Sequence, residues 1–105
     1  MMNATPGHRD LLDQRVFVSR RSHDDDLRPG YVYREAPDDD QDSGWRALVG
    51  DETAAEADDP GSILVQQVGH LLRRWPELRP LVEAEPPEGA WEWDEEKGAY
   101  VESSE

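Results

Sequence analysis

The 105-residue sequence contains no cysteine, which closes off both a disulfide framework and thiolate chemistry. It has no apolar run near the ~20 residues that a membrane-spanning helix needs. Its opening stretch, MMNATPGHRDLLDQR, lacks the apolar centre of a signal peptide, so a soluble protein of the cytoplasm is the expectation. Positive charge is scarce as well: 11 basic residues stand against 25 acidic ones, for a formal net charge of -14. The deficit is uneven, since residues 1–34 hold six Arg against five Asp while residues 35–105 hold five basic and twenty acidic groups. A field of that sign repels phosphates and anionic lipid heads and speeds encounter with a basic partner. Nucleic acid and membrane surfaces are therefore excluded as expected partners. Lysine is nearly missing, with ten of the eleven basic residues being Arg, the side chain suited to forked pairing with carboxylates.

The length allows one domain, burying only about two thirds of the surface exposed in the unfolded chain. Residues 1–14 show no sustained period and read as a leader with a helical turn at Leu11 and Leu12; the domain proper is expected over 15–102, with 103–105 as a frayed tail. RVFVS (15–19) is β-branched and aromatic, as strands are. YVYRE (31–35) alternates, placing Tyr31 and Tyr33 on one face and Val32 and Arg34 on the other. WRALV (45–49) alternates again, with Trp45, Ala47 and Val49 opposite Arg46 and Leu48. DPGSILVQQVGHLLRRW (59–75) reads as the main helix. Asp59 is its cap, Pro60 stands at the first position, Leu64, Val68, Leu71, Leu72 and Trp75 recur at helical spacing, and Pro76 is the stop. A further helical turn is expected at 78–82, and AWEWDEEKGAYVE (90–102) reads as a hairpin. The fold expected is a single α+β domain: an antiparallel sheet packed on one main helix that covers the face bearing Tyr, Trp and Val.

Candidate chemistry is thin. Asp38, Asp40 and Asp42 alternate like the first ligands of a calcium loop, but from Asp38 the glycine position holds Ser43 and the glutamate position Val49. Starting at Asp39 places Gly44 correctly yet leaves Gly50 in place of the bidentate Glu. His8, His23 and His70 have no second His or Cys at ligand spacing, so no metal or cofactor is expected. Asp42-Ser43-Gly44 lacks the glycine that a nucleophile elbow needs before its serine. Carboxylate pairs are too abundant to mark an acid–base site, and a non-catalytic protein is expected. Trp45, Trp75, Trp91 and Trp93 supply either the core or surface anchors. Trp75 belongs to the core on its helical register, and Trp45 and Trp91 are open to both roles. For DSGWR itself the residues point to a turn in which Asp42 accepts backbone N–H groups and Gly44 takes a positive φ. Asp51 and Glu52 are expected to cap backbone or to pair with Arg34 or Arg46.

Val18-Ser19-Arg20, Tyr31-Val32-Tyr33-Arg34-Glu35, Pro37, Asp42-Ser43-Gly44-Trp45-Arg46, Gly50-Asp51-Glu52 and, downstream, Pro80-Leu81, Gly89 and Trp91-Glu92 together resemble the immunity protein 33 family of bacteria. The likeness runs over residues 16–93, with DSGWR and GDE at this spacing its most specific part. The chain departs from the family pattern at Ala47, where an aromatic residue is usual, and at Thr53-Ala54-Ala55. The resemblance implies a small α+β domain and an immunity protein that binds and neutralises a cognate toxin, and it brings no catalytic residue with it. On this reading the partner is a basic protein, a toxin domain, and the expected contact residues are Asp38, Asp39, Asp40, Asp42, Trp45, Asp51, Glu52 and Trp91. The alternatives are a regulatory interaction module without a toxin, and a small carboxylate-based enzyme or ligand-binding domain.

Overall fold

The computed structural model describes residues 11–103. Its centre is a six-stranded sheet of strands β1 (Arg15–Ser19), β2 (Tyr31–Arg34), β3 (Asp42–Leu48), β4 (Ile63–Gln67), β5 (Gly89–Asp94) and β6 (Ala99–Glu102), in the order β4-β1-β3-β2-β5-β6. Short helices accompany it, among them α1 (Arg20–Asp24), α2 (Ala54–Ala57), α3 (Val68–Arg74) and α4 (Arg79–Glu83). The chain is thus α+β, as its pattern implies, but the sheet is mixed. β1 and β3 run parallel while the other four neighbouring pairs are antiparallel.

The expected main helix is corrected to three elements. Asp59 does cap, accepting from Gly61 N at 2.9 Å, but it opens a 3-10 turn, Pro60–Ser62. ILVQQ then forms edge strand β4, paired over five residues with β1, and the α-helix begins only at Val68. Two β-branched residues at alternate positions, Ile63 and Val65, favour the extended chain, and the continuous row of partners on β1 outweighs the helical spacing of Leu64 with Val68. The helix ends before Pro76, as expected, and a 3-10 turn (Pro76–Leu78) followed by α4 continues the layer. Between β1 and β2 the polar stretch RRSHDDDLRPG (20–30) holds α1. Residues 11–13 are helical and Leu11 is buried in the core, so the domain reaches back before Arg15. The remainder of the expected leader, 1–10, and tail residues 104–105 lie outside the described residues.

Helices α3 and α4, with the 3-10 turn between them, cover one face of the sheet. Val16, Val18, Val32, Trp45, Ala47 and Trp91 point into it and meet Val68, Leu71, Leu72, Trp75, Leu78 and Val82 in one cluster. Trp45 and Trp91 pack at 5.5 Å between ring centroids, tilted by 44°. Strand alternation then assigns the opposite face to Phe17, Tyr31, Tyr33, Arg46, Leu48, Ile63 and Val65. The helix layer therefore lies over the Val32 and Trp45 side. The expectation that it would also cover the tyrosines fails, because Tyr31 and Tyr33 alternate with Val32 and cannot share its face.

Candidate partner-binding face

The centre of the open face is built by DSGWR. Arg15 pairs with Asp42 and Phe17 with Arg46, so two steps along β1 are matched by four along β3. The extra residues form a bulge that folds Asp42 back beneath Arg46. Gly44 makes the bend at φ +86°, with Glu35 N donating to its carbonyl at 2.9 Å. A Cβ there would come within 2.4 Å of the Glu35 carbonyl oxygen, so both conformation and space demand glycine. Ser43 serves backbone groups at the irregularity: its hydroxyl donates to Arg15 O at 2.7 Å and accepts from Trp45 N at 3.1 Å. Asp42 accepts from Gly44 N and Asp38 N, each at 2.9 Å, the Asx geometry expected from the sequence.

This geometry closes a buried ion pair. Arg46 is 3% exposed and Asp42 2% exposed. The guanidinium donates Nη1 to Oδ1 at 2.9 Å and Nη2 to Oδ2 at 3.0 Å of Asp42, and Nε to Glu35 at 2.7 Å. Its plane lies 4.3 Å from the Phe17 ring centroid. The Arg46 hydrogen bonds, with those from two backbone N–H groups, hold the Asp42 pKa far below the usual carboxylate range despite its burial. Burial alone would lower the Arg46 pKa; its bonds to Asp42 and Glu35 outweigh that and move it upward.

Around Arg46 the face forms a cross-strand row: Val65 on β4, Phe17 on β1, Arg46 on β3, Tyr33 on β2 and Ala90 on β5 are successive register partners. Tyr31 and Tyr33 lie 5.8 Å apart by ring centroid. A concavity of about 240 Å³ opens over the row, lined by Phe17, Tyr33, Leu48 and Ile63, with Arg46 and Glu35, and with Glu52 and Ser62 from the flanking segment. Glu52 is fixed there by accepting from Val49 N at 2.8 Å and Gly50 N at 2.9 Å. The volume lies below the ~300–1,000 Å³ of small-molecule pockets and suits a single inserted side chain.

The expected contact residues divide sharply. Asp38 and Asp40 are exposed on the β2–β3 loop, and no arginine pairs with them among the described ion pairs. Asp39 is exposed but holds Arg15 at 2.7 Å through both oxygens. Asp51 is exposed and paired with Arg21, which also bonds Glu56 at 2.8 Å. Glu52 thus caps backbone amides, one of the two expected roles, whereas Asp51 pairs with Arg21 and not with Arg34 or Arg46. Asp42, Trp45 (1% exposed) and Trp91 (8% exposed) lie in the interior, so their assignment to a contact surface is corrected. The carboxylate is enclosed by Arg46 and two amides, and the two rings are enclosed by each other and the helix layer. Phe17, Tyr33, Leu48 and Ile63, which line the concavity, were not among the expected contact residues. For Tyr33 and Leu48 the signal was present in the alternation of YVYRE and WRALV, and for Phe17 in RVFVS, where both strand faces carry apolar or aromatic residues; Ile63 was hidden by the helical reading of 59–75.

Among the described residues no group of three or more His, Asp and Glu side chains could hold a metal ion, and no helix is long and apolar enough to cross a membrane. Fold and site together define a small α+β domain with a mixed sheet whose helix layer, among the described residues, covers one side, and which on the other displays part-buried rings and aliphatics around a buried arginine–carboxylate pair. The model of the immunity protein Imm33 domain matches residues 16–104, and the chain belongs to that family. No curated protein and no solved structure gives a significant match.

Proposed function

We propose that this chain is a non-catalytic immunity protein that binds a cognate toxin and neutralises it by occupying a basic surface on that toxin. The observation that carries the reading is membership of an immunity family across nearly the whole domain. Charge supports the finer part. After the internal ion pairs are formed, exposed carboxylates remain without an arginine partner among the described pairs, including Asp38, Asp40, Asp58, Asp59, Glu88 and Glu92. Such a surplus steers a cationic protein and raises its association rate. Asp38 and Asp40 on one loop, with Asp51 and Glu52 beside the concavity, are the acids this reading places at the contact, Asp39 contributing as the neighbour that anchors the loop to Arg15. The cell compartment that suits such a role is the cytoplasm, where a toxin would reach its target.

The test is titration calorimetry for stoichiometry and stopped-flow mixing for the association rate, with the purified protein against the polypeptide encoded beside its gene, at low and high salt. A stoichiometric complex that associates more slowly as salt rises, with loss of toxin activity in proportion to complex formed, is the expected result. Absence of any complex at low salt would sink the reading.

A further inference from the structure

We infer that the toxin is bound by the open face of the sheet, and that a lysine or arginine side chain of the toxin enters the concavity over Phe17 and Tyr33, between Glu35 and Glu52. The inference rests on the immunity reading above and adds the surface and the chemistry of its occupant.

Three observations carry it. First, this face holds large apolar groups that none of the described residues fully covers: Val65 is 57% exposed, and Phe17, Tyr33, Leu48 and Ile63 are only part-buried. Contiguous apolar residues rimmed by charge mark interaction surfaces in soluble proteins. Second, the concavity is negative although an arginine forms its floor. Within the lining Arg46 contributes one positive charge and Glu35 and Glu52 two negative ones, a formal surplus of one anion, and Asp42, buried outside the lining, already offsets Arg46 from beneath. The forked bonds to Asp42 and the Nε bond to Glu35 engage the guanidinium, so an incoming carboxylate finds little free donor capacity, while an incoming cation finds Glu52 and the outer edge of Glu35. Third, the space of about 240 Å³ matches one long side chain whose stem lies on rings and aliphatics while its head meets carboxylates, the manner in which Lys and Arg bury. Glu92, in register with Tyr31 on the same face, extends the negative rim toward β5.

The probe is the polypeptide encoded beside the gene, its binding to the unaltered protein being measured first. If that protein does not bind, the immunity reading itself falls. If it does, Ile63→Arg, which puts a cation into the concavity from edge strand β4, is expected to weaken binding about 100-fold or more. Glu83→Arg on α4 should leave it within about threefold, since only the first change touches a desolvated contact centre. Glu52→Gln should weaken binding about tenfold, the effect of losing one close charge pair. Tighter binding of Glu52→Gln would mean that an anion of the partner reaches Arg46, and it would overturn the inference, as would wild-type affinity in a folded Ile63→Arg. Should Ile63→Arg fail to fold, side-chain NMR of the unaltered protein decides. Perturbation of Phe17, Tyr33 and Leu48 on complex formation supports the open face, and perturbation confined to α3 and α4 or to the Asp38–Asp40 loop refutes it while leaving the immunity reading intact.

Discussion

The two faces of the sheet are built from the same strands, residue by residue in alternation, yet they answer to different demands. On the covered face Trp45, Val32 and Trp91 meet α3 and α4 and are nearly sealed from water. On the open face Tyr33, Phe17 and Leu48 stay part-exposed around a polar centre, with the Arg46–Asp42 pair set between them. Hydrophobic composition alone does not tell which face a chain will bury within itself. The helices decide it, and what they leave uncovered is available to something else.

The largest contrast should come from truncating one ring on each side. Trp45→Ala removes a sealed side chain and leaves a cavity, at a cost of ~3–5 kcal/mol, a large part of the stability of a small domain. Tyr33→Ala, one register position from Val32 but on the open side, should cost about 1–2 kcal/mol because its side chain is only part-buried. Urea unfolding of both variants measures the difference. Equal losses would mean that the open face contributes to folding as the covered face does.

Asp42→Asn tests the polar centre. Removing one partner of a buried pair leaves Arg46 under-compensated and should cost ~3–5 kcal/mol. The same pair creates a pH dependence. The folded pKa of Asp42 is depressed below its unfolded value, so its contribution is complete above about pH 4, near the unfolded Asp pKa, and is lost progressively as the pH falls toward the folded value. Thermal melts from pH 6 to pH 2 should show the unaltered protein losing stability below about pH 4, with a shallower slope in Asp42→Asn. Asp39, Asp51 and Glu77 are also held low by arginine partners or backbone amides; Asp39 and Asp51 are exposed and contribute little, and part-buried Glu77, paired with Arg28, contributes to both proteins alike. Parallel curves for the two proteins would show that Asp42 is not the dominant acid-sensitive group.

Gly44→Ala should follow, at ~1–3 kcal/mol, from strain at φ +86° and the approach to Glu35 O. It separates the bulge from the charges it brings together. Should the variant lose stability without changing the acid slope, the bend is needed for the backbone alone; a flattened slope would show that the bend is what seats Asp42 under Arg46.

Much of this arrangement was legible beforehand. Strands β1 and β2, the hairpin of β5 and β6, the Asx role of Asp42 and the positive φ of Gly44 follow from local chemistry, and local chemistry is what a sequence displays. The parallel pairing of β1 with β3 was not legible, because it depends on which strands meet across the fold. The Asp42–Arg46 pair was hidden for a related reason. In a regular strand residues four apart are too distant for a forked bond, and only the unequal register against Arg15 and Phe17 brings them together. Ile63–Gln67 was misread because Leu64 suits both a helical stripe and a strand face, and the choice was made by the partner strand. Asp38 and Asp40 were rightly expected to be exposed acids, whereas Trp45 and Trp91 lacked any local mark separating an anchor from a core ring.

The smallest effect is the most telling for the comparison. Val65 is among the most exposed large apolar side chains described, stands on an edge strand, and is opposed in register by Phe17. Val65→Thr keeps the β-branched shape and therefore the strand preference, and exchanges a methyl for a hydroxyl that water can reach. If the open face serves a partner and not the fold, the urea midpoint should move by no more than about 0.5 kcal/mol equivalent, the range of ordinary surface substitutions. The corresponding exchange on the covered face, Val18→Thr, places a hydroxyl among aliphatics at a sealed position and should cost about 1–3 kcal/mol for want of a hydrogen-bond partner. The two valines share a β-sheet and sit one strand apart on opposite sides, so strand propensity cancels between them. A loss at Val65 comparable with that at Val18 would therefore place the open face within the folding core and remove the reason for assigning it to a partner.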